Sequence, residues 1–143
     1  MRASHGFTLI ELLVVIALIA IGTAAVSFSL RDSAQTVLER DAERLANLFE
    51  SARARSRASG MPVKWYPQTT DNNPNGFVFD GLPTHTLPNK WLSTQIQVAP
   101  NSLVILGPDP IIGPQNVQLQ MRDSQLWVST DGLKPFAVRR AAP

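Results

Sequence analysis

Residues 6–30, GFTLIELLVVIALIAIGTAAVSFSL, form an apolar stretch whose one charged residue is Glu11. From Phe7 to Leu30 the stretch has about 24 residues, and as an α-helix it would measure roughly 36 Å against a hydrocarbon core of about 30 Å. It is therefore long enough to span a bilayer. A charge at the centre of such a span costs roughly 3 kcal/mol, so even near one end the Glu11 carboxylate is a functional candidate.

The position of Gly6 separates the possible interpretations of this N-terminus. A secretory signal peptide is cleaved after its apolar stretch, whereas Gly6 lies before this one, so that interpretation fits poorly. A plain single-pass anchor explains the hydrophobicity of the stretch. It does not explain the order Gly-Phe-Thr-Leu-Ile-Glu at residues 6–11.

This order resembles the leader and N-terminal helix of type IV pilins and of the pseudopilins of type II secretion. Those proteins carry a short basic leader that ends in Gly, a Phe that becomes the mature N-terminus, and a Glu at the fifth mature position. Arg2, Gly6, Phe7 and Glu11 stand at these places. The resemblance implies that prepilin peptidase cleaves after Gly6 and methylates the new amine of Phe7. It also implies that Phe7 and Glu11 act in filament assembly.

The leader also predicts the orientation of the chain. Arg2 favours a cytoplasmic N-terminus, so we expect a single-pass protein of the bacterial inner membrane with its C-terminal domain in the periplasm. The chain has 143 residues with 44% hydrophobic content, which fits one anchored domain. Because it has no cysteine, an exported domain would be held by its core or its assembly and not by disulfides.

Residues 31–60 continue the helical pattern in amphipathic form. Apolar residues recur at spacings of three and four: Val37, Leu38, Leu45, Leu48, Phe49 and Ala52. This stripe predicts a helix face that packs on a following sheet. Gly60 and Pro62 indicate the helix end. We expect Arg53, Arg55 and Arg57 to form a solvated face that complements the helix C-terminus.

From residue 61 onward, short apolar runs broken by Pro, Gly and Asn predict an antiparallel sheet. The candidate strands are residues 63–66, 76–79, 95–98, 103–106, 117–122, 126–129 and 136–139. Asp123 and Ser124 indicate a tight hairpin before Leu126. The proline-rich stretches 67–74, 83–89 and 108–114 are expected to be loops.

The predicted fold class is α+β and pilin-like, with one long helix, transmembrane and then amphipathic, packed on an antiparallel sheet. Its parts are a leader at residues 1–6, a transmembrane and assembly helix at 7–30, an amphipathic continuation at 31–60, and a periplasmic β domain at 61–143.

Two further segments, residues 41–63 and 128–132, resemble the GspH/FimT group of pilin-like proteins. The resemblance implies a minor pseudopilin, a structural subunit of the periplasmic pseudopilus that helps drive protein export by type II secretion. The expected partners are other minor pseudopilins, the major pseudopilin, prepilin peptidase, the inner-membrane assembly platform and, before assembly, inner-membrane lipid. A FimT-like minor type IV pilin in pilus assembly or DNA uptake is the alternative, although the Arg-rich loop of DNA-binding members is replaced here by Gly132-Leu133-Lys134-Pro135.

Catalysis, metal binding and nucleic-acid binding have little support in the sequence. His5 lies in the leader and His85 in a Pro-flanked loop, so we expect no enzyme and no cofactor. Residues 71–76 match the opening of a calcium loop, but Leu82 stands where the last carboxylate ligand is required, so an Asn-rich turn is favoured and no metal is expected. The net charge of +2 is too small to predict a specific nucleic-acid partner. A membrane-anchored periplasmic enzyme or binding module remains the interpretation from another functional class.

Overall fold

The computed structural model describes residues 8–70 and 73–142, without the side chains of residues 24–33, 70, 73 and 74. The chain divides into two compact units, Met1–Ser33 and Ala34–Pro143. Helix α1, Leu9–Ser59, contributes residues to both units, which are described separately. Of the predicted transmembrane helix at residues 7–30, Phe7 and the side chains of residues 24–30 lie outside the described residues. No helix in the described part of the chain has the length and mean hydropathy of a membrane span.

Strands of the second unit form two antiparallel sheets among the described residues. In chain order the strands are β1 (Lys64–Thr70), β2 (Asn73–Asp80), β3 (Gln97–Val98), β4 (Val104–Ile105), β5 (Gln115–Met121), β6 (Ser124–Thr130) and β7 (Ala137–Arg139). One sheet has the order β2-β1-β4 and the other the order β3-β5-β6-β7. The α+β class and each predicted strand are confirmed, with shifted ends.

The apolar stripe of the helix packs on these sheets, as predicted. Leu38, Leu45, Phe49 and Ala52 are fully buried together with strand residues. The Phe49 ring lies edge-on against Trp65, with 5.2 Å between ring centroids, and at 4.8 Å from Phe136. Burying a side chain of this size stabilises a fold by about 1.5–3 kcal/mol, so the stripe is the main attachment of the helix.

The helix ends where Gly60 and Pro62 predicted. Gly60 adopts a left-handed conformation, with φ of 67°, which a residue without a Cβ reaches at little cost. The Ser56 hydroxyl donates to the Met61 carbonyl oxygen at 2.5 Å. This hydrogen bond from a helix residue therefore holds the turn after the helix, and the turn directs the chain into β1.

The predicted loop at residues 67–74 is wrong, because β1 continues to Thr70 and β2 begins at Asn73. Pro67 pairs with Phe77, whose N–H points away from β1 and donates to the Asn89 carbonyl. In such a pair both residues point their N–H groups away from the partner strand, so an N–H at Pro67 would have pointed away from β2. It would have pointed to the other side of β1, where β4 pairs with Lys64 and Trp65 and not with Pro67. Proline is tolerated there because no strand needs its missing donor.

The predicted hairpin exists, but its loop is one residue earlier. Met121 pairs with Ser124, so Arg122 and Asp123 form a two-residue loop. Arg122 has a φ of 52°, as the primed turns of tight hairpins require. The sequence missed this because arginine gives no turn signal.

The prediction of a solvated arginine face is wrong for Arg53 and holds for Arg55 and Arg57, which are exposed. Arg53 is buried, pairs with Glu50 at 3.2 Å, and donates to the Pro110 carbonyl at 3.4 Å. Glu50 Oε1 also accepts the Phe136 N–H at 3.0 Å. This pair therefore joins the helix to two loops that are distant in sequence.

Asp41 lies among charged residues in the sequence, yet it is 1% exposed. Its two carboxylate oxygens accept the N–H groups of Leu92 and Ser93 at 2.9 and 3.1 Å. A buried carboxylate requires such donors. Asp41 thereby fixes the segment that carries Trp91 against the helix.

Candidate functional site

The first helical turn in the described chain is capped by Thr8. The Thr8 hydroxyl accepts the Glu11 N–H at 3.3 Å, and the Thr8 carbonyl accepts the Leu12 N–H at 3.2 Å. Threonine is a favoured N-cap because its oxygen satisfies a donor that the helix leaves unpaired. The sequence contains a signal for this cap, a threonine just before an apolar periodic run, although the predicted site residues do not include Thr8.

Glu11 lies exposed in this first turn. A carboxylate there is favoured by the partial positive charge of the helix N-terminus, which supplies about 0.3–1 kcal/mol at an exposed site. That interaction is far smaller than the cost of burying a charge in an apolar environment. An ionised Glu11 carboxylate would therefore need a cation wherever this segment is removed from water.

The first unit exposes large apolar side chains around Glu11. These are Leu9, Ile10, Leu12, Leu13, Val14, Val15, Ile16, Leu18, Ile19 and Ile21. Residues 12–16 among them are consecutive and make more than one helical turn, so apolar side chains cover every side of the helix and not one stripe. A helix that is apolar all round requires lipid or other helices around it.

The other predicted site residues, Gly6 and Phe7, lie outside the described residues. The predicted cleavage after Gly6, the methylation of Phe7 and the role of Phe7 and Glu11 in filament assembly therefore remain predictions. Glu11 is the member of this set that the structure describes.

A second candidate surface, relevant to DNA uptake, contains Lys134, Arg139 and Arg140. Arg140 pairs with Glu39 at 2.9 Å, and Lys134 Nζ lies 3.9 Å from Asp131 Oδ2. Arg139 is exposed in β7. Because two of the three cations face carboxylates, they present little net positive charge.

Asp131 also organises the turn beside this surface. Its Oδ1 accepts the N–H groups of Lys134 and Leu133 at 2.8 and 3.0 Å. These hydrogen bonds hold the pKa of the exposed Asp131 carboxyl below its ordinary value. The hydrogen bond from Lys134 has the larger effect and that from Leu133 the next largest. The ionised form therefore supports the turn above the unfolded-state pKa, and this support is lost as pH falls through the lowered pKa.

In the predicted Asn-rich turn at residues 71–76, Asn75 has a structural role. Asn75 lies in β2, and its side-chain nitrogen donates to the carbonyls of Thr94 and Ile96 at 2.8 and 3.0 Å. Asp71 and Asn72 are outside the described residues. Elsewhere in the described chain no group of acidic, histidine or cysteine side chains could hold a metal ion.

Residues 1–27 match the family model described as the prokaryotic N-terminal methylation motif. The matched segment contains Gly6, Phe7, the Thr8 cap and Glu11. Searches of curated proteins and of solved structures gave no match. The sequence match therefore concerns the N-terminal segment.

The chain thus carries the prepilin-type signal of type IV pilin-like proteins and pseudopilins. The motif indicates processing by prepilin peptidase, methylation, and assembly with other pilin-type subunits. It also suggests anchoring in the inner membrane. The α+β unit that follows is consistent with a pilin-like fold.

Proposed function

We propose that this chain is a minor pseudopilin, a non-enzymatic structural subunit of the pseudopilus of a type II secretion system. The observation that carries the proposal is the methylation motif at residues 1–27, in which Glu11 stands in the first turn of an apolar helix. The proposed partners are other minor pseudopilins, the major pseudopilin and the inner-membrane assembly platform.

In this proposal the apolar helix holds the subunit in the inner membrane, with the second unit in the periplasm. The helix then moves into a bundle where other subunits replace lipid. Glu11 would pair with the amine of Phe7, from its own chain or from a neighbour, because either charge alone is costly in an apolar bundle.

The charge arrangement favours secretion over DNA uptake. A DNA-binding surface neutralises phosphates with unpaired Lys and Arg side chains. Here Arg140 and Lys134 already have acidic partners, Glu39 and Asp131. A FimT-like minor pilin remains the second candidate because Arg139 is exposed beside them. Genes for a secretion ATPase and a secretin nearby would favour the pseudopilin, and pilus or competence genes would favour the alternative.

Processing gives the direct test of this assignment. In cells with active prepilin peptidase, we expect the protein to lose residues 1–6 and to gain one methyl group on the Phe7 amine. Intact-mass measurement of the purified protein detects both changes. A catalytically inactive peptidase strain is the control and should give the uncleaved chain. Cleavage after Ala20 or Ala25 would contradict the proposal and restore a secretory signal peptide.

A DNA-binding measurement separates secretion from uptake. Residues 31–143 should fold as a soluble domain, because the helix stripe still covers the sheets. We expect it to bind duplex DNA with a dissociation constant no tighter than about 10⁻⁵ M at physiological salt, without sequence preference, as in nonspecific phosphate binding. Gel-shift titration over a range of salt concentrations measures this.

The control variant is Arg122→Ala, which removes an exposed cation in the hairpin loop. The test variant combines Arg139→Ala with Arg140→Ala. If the parent domain binds DNA tightly, the double variant does not, and Arg122→Ala still does, the DNA-uptake pilin becomes the favoured function.

A further inference from the structure

A cavity of about 430 Å³ lies between strands β1 and β2 and the segment that follows Trp91. Its volume is within the range typical of small-molecule sites. The residues that matter for its chemistry are Pro67, Thr69, Asn75, Trp91, Gln97 and Pro100. Neither the methylation motif nor the proposed role in assembly uses this cavity.

Trp91 is the aromatic residue that lines the cavity, and contacts with other aromatic rings hold it in place. Its ring lies edge-on against Phe77, at 4.8 Å between centroids, and against Trp65 at 6.4 Å. The next two residues along the chain donate their N–H groups to buried Asp41. The ring is half-buried, so part of its surface remains accessible. A fixed, accessible indole can pack on a ligand without first being ordered.

Polar groups in the cavity are available for hydrogen bonding. Within the described chain, the Gln97 amide, the Thr69 hydroxyl and the Trp91 indole N–H have no hydrogen-bond partner. Asn75 differs, because its side-chain nitrogen is committed to the Thr94 and Ile96 carbonyls. Its Oδ1 therefore remains as an acceptor for a ligand group that can donate.

The cavity is also uncharged in its described part, since no Asp, Glu, Lys, Arg or His lines it. This disfavours an ionic ligand. A proline-rich peptide would suit the aromatic wall but offers few donors, because proline has no N–H. A neutral sugar offers C–H faces that pack on an indole and hydroxyl groups that both donate and accept.

We propose that the cavity bounded by Trp91, Gln97, Thr69 and Asn75 binds a neutral saccharide. Trp91 provides the packing surface, Gln97 and Thr69 exchange hydrogen bonds with hydroxyl groups, and Asn75 Oδ1 accepts from one of them. The inference is independent of the assignment as a pseudopilin, because the cavity lies within the second unit.

The test is an NMR titration of the isotope-labelled full chain in a phosphocholine detergent, which contains no sugar group. The probes are maltotriose, cellotriose and tri-N-acetylchitotriose. We expect at least one of them to shift the Trp91 indole signal and the Gln97 side-chain signal, with a dissociation constant on the order of 1 mM. The Trp127 indole is the internal reference, because Trp127 does not line the cavity.

Two matched variants test the assigned contact. Gln97→Ala should weaken binding by at least about fivefold, the value of one hydrogen bond. Gln95→Ala removes an exposed glutamine that does not line the cavity, and it should bind as the parent does. Absence of a Trp91 shift with each probe, or equal weakening by both variants, would overturn the proposal. An octaproline peptide that shifts these signals when no saccharide does would overturn it in favour of a peptide site.

Discussion

Gly132→Ala is expected to lower the free energy of unfolding of residues 31–143 by about 3 kcal/mol or more, the sum of a strained backbone and an overpacked contact. Gly132 has a φ of 92°, which side-chain-bearing residues rarely adopt, and a Cβ there would lie 1.8 Å from the Ile112 carbonyl oxygen. Neither atom can move away easily, because the Gly132 N–H is bonded to Thr130 Oγ1 at 3.0 Å and the clash is with backbone. Urea unfolding followed by circular dichroism measures the change.

Gly113→Ala is the matched control, because Gly113 belongs to the adjoining loop. A Cβ on Gly113 would meet nothing within 4 Å, and its φ lies outside the left-handed range. A surface change of this kind should alter the free energy of unfolding by no more than about 0.5 kcal/mol. Equal urea midpoints for the two variants would show that the loops at residues 107–114 and 131–135 are not held in close contact.

Glu11→Ala is expected to leave membrane insertion intact and to reduce incorporation into the filament by at least about a hundredfold. Removing the charge makes the segment more apolar, which favours insertion. In the filament, however, the Phe7 amine would lose its proposed partner, and an uncompensated buried charge costs about 3–5 kcal/mol. Cross-linking to other pilin-type subunits, with the amount in the membrane fraction measured in parallel, separates the two steps.

Glu43→Ala provides the control on the same helix. Glu43 is exposed in the second unit, and within the described chain it has no hydrogen-bond or ion-pair partner. Its removal should leave both insertion and cross-linking unchanged. Normal cross-linking of Glu11→Ala would argue against the Phe7–Glu11 pair, while the processing of residues 1–6 would still test the assignment to pilin-like proteins separately.

Local patterns in the sequence were enough for much of the architecture. The three- and four-residue spacing of Leu38, Leu45 and Phe49 predicted the buried helix face, and Gly60 predicted the helix end. The candidate strand at residues 117–122 corresponds to β5, in which Val117, Leu119 and Met121 are buried and alternate with exposed residues. These predictions succeeded because each depends on the geometry of one element, whose periodicity is visible within a few residues.

The candidate site at the N-terminus could also be predicted from a short segment of sequence. Gly6, Phe7 and Glu11 occur around the start of an apolar stretch, within the residues 1–27 that match the methylation motif. The predicted processing site lies outside the described residues, so the structure adds the Thr8 cap and the exposed first-turn position of Glu11.

Tertiary structure alone decided the roles of polar residues whose partners are far along the chain. Asp41 and Arg53 occur among charged residues in the sequence, yet both are buried, because Asp41 meets N–H groups 51 and 52 positions away and Arg53 meets a carbonyl 57 positions away. The placement of Pro67 inside β1 and the assembly of the cavity around Trp91 depend on the same kind of pairing. A sequence pattern records which side chains are polar, but whether a polar side chain is solvated or buried depends on donors and acceptors that only folding brings within about 3 Å.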